Sequence, residues 1–263
     1  MRTAAAQTQQ CEGGIDVRSA ADSNIGVRRL VNKDRVYASD RPVGIFPNLY
    51  IVADGMGGEA AGEVAAAAAV ESAVRFARSS WPGDPQDLFR EMGIVVNADV
   101  YDIAVHHLEY AGMGTTFVAA SVYEDAVYCI NIGDSRLYAI NYRDEFVRIT
   151  TDHSLVEAMV QRGQITEEEA RVHRDRNLIT RAVGTNKSVQ ADIYRIPIGY
   201  PRMLLLCSDG LHGQVDDSRI SEIMRINSYP LSVRVEMLIQ EANRNGGSDN
   251  VSVILADLGK EVR

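Results

Sequence analysis

An α+β sandwich of antiparallel strands and packed helices is the fold this sequence predicts. Strand-forming runs arrive in hairpin order, closed by short turns at Glu124-Asp125 and Gly133-Asp134-Ser135. Long helical stretches are grouped, one pair early and another late. A doubly wound sheet would instead alternate strand with helix along the chain. At 263 residues the chain is ample for a sizeable core.

Residues 15–30 read as extended, and Asn32-Lys33-Asp34 turns into a strand at 35–39. Residues 49–53 form a buried apolar run that ends at Asp54-Gly55. Residues 59–78 are Ala-rich with apolar positions at helical spacing, and 87–109 form a second long helix, preceded by Pro82 and Pro85. Strands are expected at 115–123, 127–132, 136–141 and 146–149, where the chain alternates or runs apolar. A helix at 154–162 follows, then strands at 189–196 and 203–207. Helices at 217–224 and 231–245 precede a last strand at 251–256. No Pro/Ser linker, low-complexity block or fixed-period repeat interrupts the chain. A single domain is therefore expected over 14–258, with tails at 1–13 and 259–263.

Composition narrows the function. The hydrophobic fraction of 46% and charged fraction of 24% are ordinary for a soluble globular protein. A net charge of -9 without a basic stripe argues against nucleic acid as a partner. It does not argue against a phosphorylated substrate, because bound cations reverse the charge of a carboxylate site. Residues 1–10 lack the apolar stretch of a secretory signal, and no window approaches the roughly 18 apolar residues of a membrane span. Cys11, Cys129 and Cys207 are odd in number and widely spaced. They suggest no disulfide framework, and a reducing cytoplasm is the expected location.

The informative pattern is where acids sit relative to strands. The runs at 49–53 and 203–207 each carry a carboxylate to their far lip, Asp54 and Asp209, and each is followed by a glycine, Gly55 and Gly210. Asp249 does the reverse and stands just before the strand at 251–256. A strand that starts at an acid can lie antiparallel to strands that end at one, so the three carboxylates can meet at one edge. Asp34 and Asp134 occupy hairpin turns that can join the same end. A single Asp-Gly after a strand is a common turn signal; the joint pattern carries the weight. Clustered carboxylates repel, and divalent cations resolve the repulsion. All-oxygen ligation suits Mg²⁺ or Mn²⁺ more than Zn²⁺. Two such ions, roughly 3.5–4 Å apart, can share a water and lower its pKa, with Asp54 as the bridging carboxylate.

At these residues the sequence resembles the PPM family, the type 2C metal-dependent protein phosphatases of bacterial type. The matching segments run in order over nearly the whole chain: Gly26-x-x-Arg29-x-x-Asn32-x-Asp34, Asp54-Gly55-Met56-Gly57-Gly58, Gly114-Thr115-Thr116, Gly133-Asp134-Ser135-Arg136, Thr151-Asp152-His153-Ser154, Arg181-Ala182-Val183-Gly184, Ser208-Asp209-Gly210 and Ser248-Asp249-Asn250. The resemblance implies a four-layer αββα sandwich of two antiparallel sheets flanked by antiparallel helix pairs. It implies that Asp54 bridges two Mn²⁺ or Mg²⁺ ions and that the Gly55 carbonyl touches one. Asp209 and Asp249 would ligate the second ion, Asp34 would hold metal-bound water, and Asp134 would help hold a third, weaker ion. Arg29 would grip the substrate phosphate, since a guanidinium fork suits two phosphate oxygens at once. Lys33 departs from the acid or Gln the family carries there, so Lys33→Glu is expected to tighten the weaker metal. Met56 replaces a proposed acid His of eukaryotic members, which leaves water to protonate the leaving group.

The other tempting residues have simpler readings. No cysteine begins a Cys-x5-Arg segment, so the thiols read as core or tail groups. His106 and His107 read as surface groups at a helix end, His153 as architectural, His173 as solvated and His212 as packing its turn. The charged stretch 164–177 is expected to be a flap beside the catalytic edge. The function implied is hydrolysis of phosphoserine and phosphothreonine in proteins, opposite a bacterial Ser/Thr kinase. The alternatives are a pseudophosphatase or phosphoprotein-binding regulatory module, which Lys33 favours, and a phosphatase of small phosphate esters.

Overall fold

The computed structural model describes residues 17–58 and 60–259. Cys11, the expected domain start at 14, the first residues of the run at 15–30, Glu59, and nearly all of both expected tails fall outside them. The strands are β1 (Arg18–Asn24), β2 (Asp34–Ser39), β3 (Leu49–Met56), β4 (Gly114–Thr115), β5 (Phe117–Val122), β6 (Ala126–Ile132), β7 (Arg136–Asn141), β8 (Phe146–Arg148), β9 (Asp192–Pro197), β10 (Pro201–Cys207) and β11 (Val251–Asp257). The helices are α1 (Ala61–Ser79), α2 (Pro85–His106), α3 (Leu155–Gln161), α4 (Glu167–Val172), α5 (Asp209–His212), α6 (Asp217–Met224) and α7 (Leu231–Arg244).

Two antiparallel sheets form. One runs β1-β11-β10-β7-β8 and the other β2-β3-β5-β6-β9, with β4 paired to β3. Strand alternation places their side chains in three separate cores. Leu49 and Ile51 of β3 pack under α1 and α2, while Tyr50 and Val52 face the other sheet. Met203, Leu205 and Cys207 of β10 pack against α6 and α7, while Leu204 and Leu206 face inward. Three apolar interfaces separate four layers, so the molecule is an αββα sandwich. The small residues Ala65, Ala69, Ala73 and Ala77 on one face of α1 are buried, which explains the Ala-rich run.

Some boundaries differ from the sequence reading, each for an identifiable reason. The extended run at 15–30 stops at Asn24, because Gly26 adopts φ +80° and its N–H returns to Asn24 Oδ1 at 2.9 Å. The run at 115–123 is broken into β4 and β5 at Thr116, which leaves the ladder to bind Asp54: its N–H donates to the Asp54 carbonyl at 2.9 Å and its Oγ1 accepts from the Asp54 N–H at 2.9 Å. β3 runs past Asp54-Gly55 because Gly55 and Met56 pair with Thr115 and Gly114. The expected strand at 189–196 begins only at Asp192. Asp209-Gly210 is no simple turn but opens the one-turn helix α5. The charged stretch at 164–177 holds α4, closed at its start by a reciprocal cap between Thr166 and Glu169.

Candidate active site and metal centre

One end of the sandwich collects the expected acids. Asp34 opens β2 and lies directly opposite Asp54 of β3 in the antiparallel register. Asp134 sits in the β6–β7 turn, Asp209 follows β10, and Asp249 precedes β11. β10 and β11 are antiparallel neighbours, so the end of one meets the start of the other. Gly55 is required by packing: a Cβ there would lie 1.9 Å from the Gly62 carbonyl oxygen of α1 and 2.8 Å from that of Lys33.

The electrostatics are those of crowded anions. Burial raises the Asp34 carboxyl to about 7, helped by the charges of Asp209 and Asp249 and opposed by the Ser252 and Ser208 hydroxyls. Burial and then repulsion from Asp249 raise Asp209 to about 6. Asp54 is pushed well above the carboxylate range by burial, then by Asp34, Asp209, Asp134 and Asp249. Asp134 is raised by burial and then by Asp209 and Asp152. Two carboxylate oxygens inside the edge, Asp34 Oδ1 and Asp209 Oδ1, are buried with no hydrogen-bond partner. Orphaned oxygens in an all-oxygen donor set fit hard dications. Among the described residues no three His, Cys, Asp or Glu side chains converge on one preformed coordination point.

Arg29 lies on this edge. Its Nη2 donates to Asp249 Oδ2 at 2.6 Å, and the pair is half-exposed. The guanidinium therefore already touches an expected metal ligand. Arg29→Ala is expected to lower kcat/KM for a phosphopeptide by about 10–100-fold, through a lost contact of roughly 1.5–3 kcal/mol. It should also alter metal affinity by freeing Asp249, which calorimetric Mn²⁺ titration measures. An unchanged KM with metal binding alone affected would remove Arg29 from phosphate recognition.

Lys33 is placed differently from the expectation. Its Nζ donates to the carbonyls of Gly57 at 3.0 Å and Gly58 at 3.1 Å. The lysine clamps the loop after Asp54-Gly55, so Lys33→Glu would exchange this clamp for a carboxylate beside the acidic edge. Lys33→Met is expected to cost about 1 kcal/mol, a fall in Tm of about 2–4 °C. An unchanged Tm would show that the clamp carries no stability.

Support for the acids comes from polar residues to which the sequence reading gave no role. Ser208 Oγ donates to Asp34 Oδ2 at 2.7 Å and accepts from the Ser252 N–H at 3.0 Å. Asn32 Oδ1 accepts from the Asp34 N–H at 3.1 Å, and Asn250 Oδ1 accepts from the Lys33 N–H at 2.8 Å. Their presence in the quoted motifs was the available signal. His153 is more than a helix start. Its Nδ1 accepts from the Gly133 N–H at 3.1 Å, so its proton sits on Nε2, 3.1 Å from Asp192 Oδ2. His212 Nε2 lies 3.0 Å from the Asp134 carbonyl, and burial pushes its pKa down to about 3, so it donates as a neutral ring. Two histidines thus fix the turn that carries Asp134. Burial disfavours Asp152 ionisation, but Arg136 outweighs it through charge and a hydrogen-bonded pair, from Nε to Oδ1 at 2.9 Å and from Nη2 to Oδ2 at 2.6 Å.

The remaining candidates separate from the edge. Cys129 and Cys207 are free and fully buried, and burial pushes both thiols up, so neither is a nucleophile. His106 and His107 are exposed at the end of α2. His173 is half-buried and its Nδ1 accepts from the Asp175 N–H at 3.1 Å. Helix α4 borders a cleft of about 500 Å³ that reaches Asp134 and Asp209, and Arg171 bridges it to Asp216 and Asp217 of the α6 start.

Comparisons with known proteins show the family. The family model described as protein phosphatase 2C matches residues 26–249. The chain is 35% identical over 227 residues to the serine/threonine phosphatase stp of Listeria innocua, covering 81% of this chain and 88% of that protein. It superposes on the crystal structure of the serine/threonine phosphatase Stp1 from Staphylococcus aureus with a TM-score of 0.87 at 33% identity, covering 97% of this chain and all of the other. A crystal structure of the catalytic domain of the serine/threonine protein phosphatase PstP in complex with two manganese ions matches with a TM-score of 0.78 at 33% identity, covering 92% of this chain and 97% of that one.

Proposed function

This chain belongs to the protein phosphatase 2C family and is a metal-dependent protein-serine/threonine phosphatase, and we propose that Asp34, Asp54, Asp134, Asp209, Asp249 and the Gly55 carbonyl hold its metals while Arg29 grips the substrate phosphate. The observation that carries this reading is the set of mutually repelling acids with two orphaned buried oxygens. Mn²⁺ or Mg²⁺, when bound, supplies acidified water as the nucleophile and neutralises charge on the phosphoryl oxygens.

The chain's own groups supply the rest. Asp34, tied to Ser208, stays inside the edge and can take or hold a proton from water at its Oδ1. Arg29 can turn from Asp249 to a phosphate oxygen, exchanging one charge-assisted bond for another. Gly55 lets β3 pass close against α1 and the Lys33 backbone, which no larger residue would allow. Met56 has no proton to give, so the seryl or threonyl leaving oxygen takes its proton from water.

Phosphorylated proteins are the substrates in this reading, and a Ser/Thr kinase sets the phosphorylation the enzyme reverses. Residues 14–258 act as one catalytic domain in the cytoplasm. Among the described residues, no helix is long and apolar enough to cross a membrane. The test is hydrolysis of a phosphothreonine peptide with Mn²⁺, with Mg²⁺ and in excess chelator. Turnover that survives the chelator sinks the metal-dependent reading.

A further inference from the structure

The loop that carries Arg29 presents apolar side chains to water from a backbone that is tied down. Ile25, Val27 and Leu30 are 37%, 65% and 93% exposed. The N–H groups of Val27 and Arg28 both donate to the Gly247 carbonyl, at 2.9 and 3.1 Å. One side chain closes both ends of the loop: Asn250 Nδ2 donates to the Ile25 carbonyl at 2.9 Å and to the Val31 carbonyl at 3.0 Å. Gly26, at φ +80°, lets the loop rest on the site itself, since a Cβ there would lie 2.1 Å from the Asp249 carbonyl oxygen. A loop stapled in this way cannot turn Val27 and Leu30 inward. Single exposed apolar residues need no explanation, but here three stand within six residues of chain on either side of Arg29, the arginine paired with Asp249 at the active edge.

We propose that this loop reads the substrate: Val27 and Leu30 receive an apolar side chain of the phosphorylated protein, placed within a few residues of its phosphoserine or phosphothreonine. The inference rests on the phosphatase reading above. Leu30 is one residue from Arg29 and Val27 two, about 4–8 Å along the chain. An extended substrate rises about 3.3 Å per residue, so a phosphate held by Arg29 brings its near neighbours over these side chains. Burying an apolar neighbour there removes water from both surfaces.

The test uses the full chain with saturating Mn²⁺ and three substrates: p-nitrophenyl phosphate, a phosphothreonine peptide flanked by leucines, and the same peptide flanked by serines. Wild type should favour the leucine peptide about tenfold in kcat/KM. The double variant Val27→Ser with Leu30→Ser should lose that preference through KM while turnover of p-nitrophenyl phosphate stays unchanged. Equal use of the two peptides by wild type, or a preference that survives the double variant, overturns the proposal and leaves the phosphatase reading intact. Failure of wild type to hydrolyse any of the three overturns both. Should the double variant lose p-nitrophenyl phosphate turnover as well, Leu30→Asn alone decides. A lowered preference in it supports the proposal and an unchanged one overturns it.

Discussion

Asp54→Asn and Asp209→Asn are each expected to lower phosphopeptide turnover on the order of a thousandfold, the several kcal/mol that metal-assisted hydrolysis supplies. The amide keeps the shape of the carboxyl but loses the charge that holds a cation. The fold should survive, because both positions sit at the lip of the sheets and the three apolar cores lie elsewhere. A second readout separates lost metal from lost structure. Asp54 is pushed well above its ordinary pKa by burial and then by four neighbouring acids, so in chelator its charge works against folding. Neutralising it should therefore raise the Tm of the metal-free protein above that of wild type. Near wild-type turnover at saturating metal would remove either residue from the ligand set. A metal-free Tm below wild type would mean the carboxylates hold the edge together.

Metal-free wild type should lose stability as pH rises, with a fall in Tm on the order of 10 °C between pH 4 and 8. Asp34 stands at about 7 and Asp209 at about 6 in the folded chain, both raised first by burial above the ordinary carboxylate range. Between the unfolded and folded values the native state binds more protons than the unfolded state, so stability declines with increasing pH across that window. Below pH 4 both states are protonated and these groups contribute no penalty. Above pH 7 the full repulsion is present. Saturating Mn²⁺ should cancel the decline, since the cation binds the native carboxylates and replaces their protons. Thermal melts in chelator and in Mn²⁺ across this range measure it. A metal-free Tm that rises from pH 4 to pH 8 would mean the acids are relieved by contacts other than cations. Metal removal should at the same time abolish phosphopeptide hydrolysis, and Mn²⁺ or Mg²⁺ should restore it.

Most elements were legible because their patterns are local. β7 was read to the residue from its apolar run and bounding turns. α3 was read within one residue at each end because Ser154 caps it, with Oγ accepting from the Glu157 N–H at 3.2 Å. The misreadings are tertiary. Nothing in residues 115–123 announces that Thr116 leaves the ladder, because its reason is the Asp54 backbone on another strand. The extended reading of 25–30 failed because the Asn250 amide, far along the chain, gathers both ends of that segment into a loop.

Residue types and spacings by themselves determined the layered α+β class, the apolar faces of each strand, and which acids stand at strand ends, because strand period and turn chemistry are properties of neighbouring residues. They also placed the family motifs in order. The tertiary structure alone decided how those acids act on one another. Coulomb repulsion and desolvation depend on distance and burial, which the antiparallel meeting of β2 with β3 and of β10 with β11 sets. It likewise decided that Lys33 reaches the Gly57 and Gly58 carbonyls and that His153 and His212 hold the Asp134 turn. A long side chain's partner is chosen by what the fold brings within hydrogen-bond reach, and no spacing in the chain encodes that.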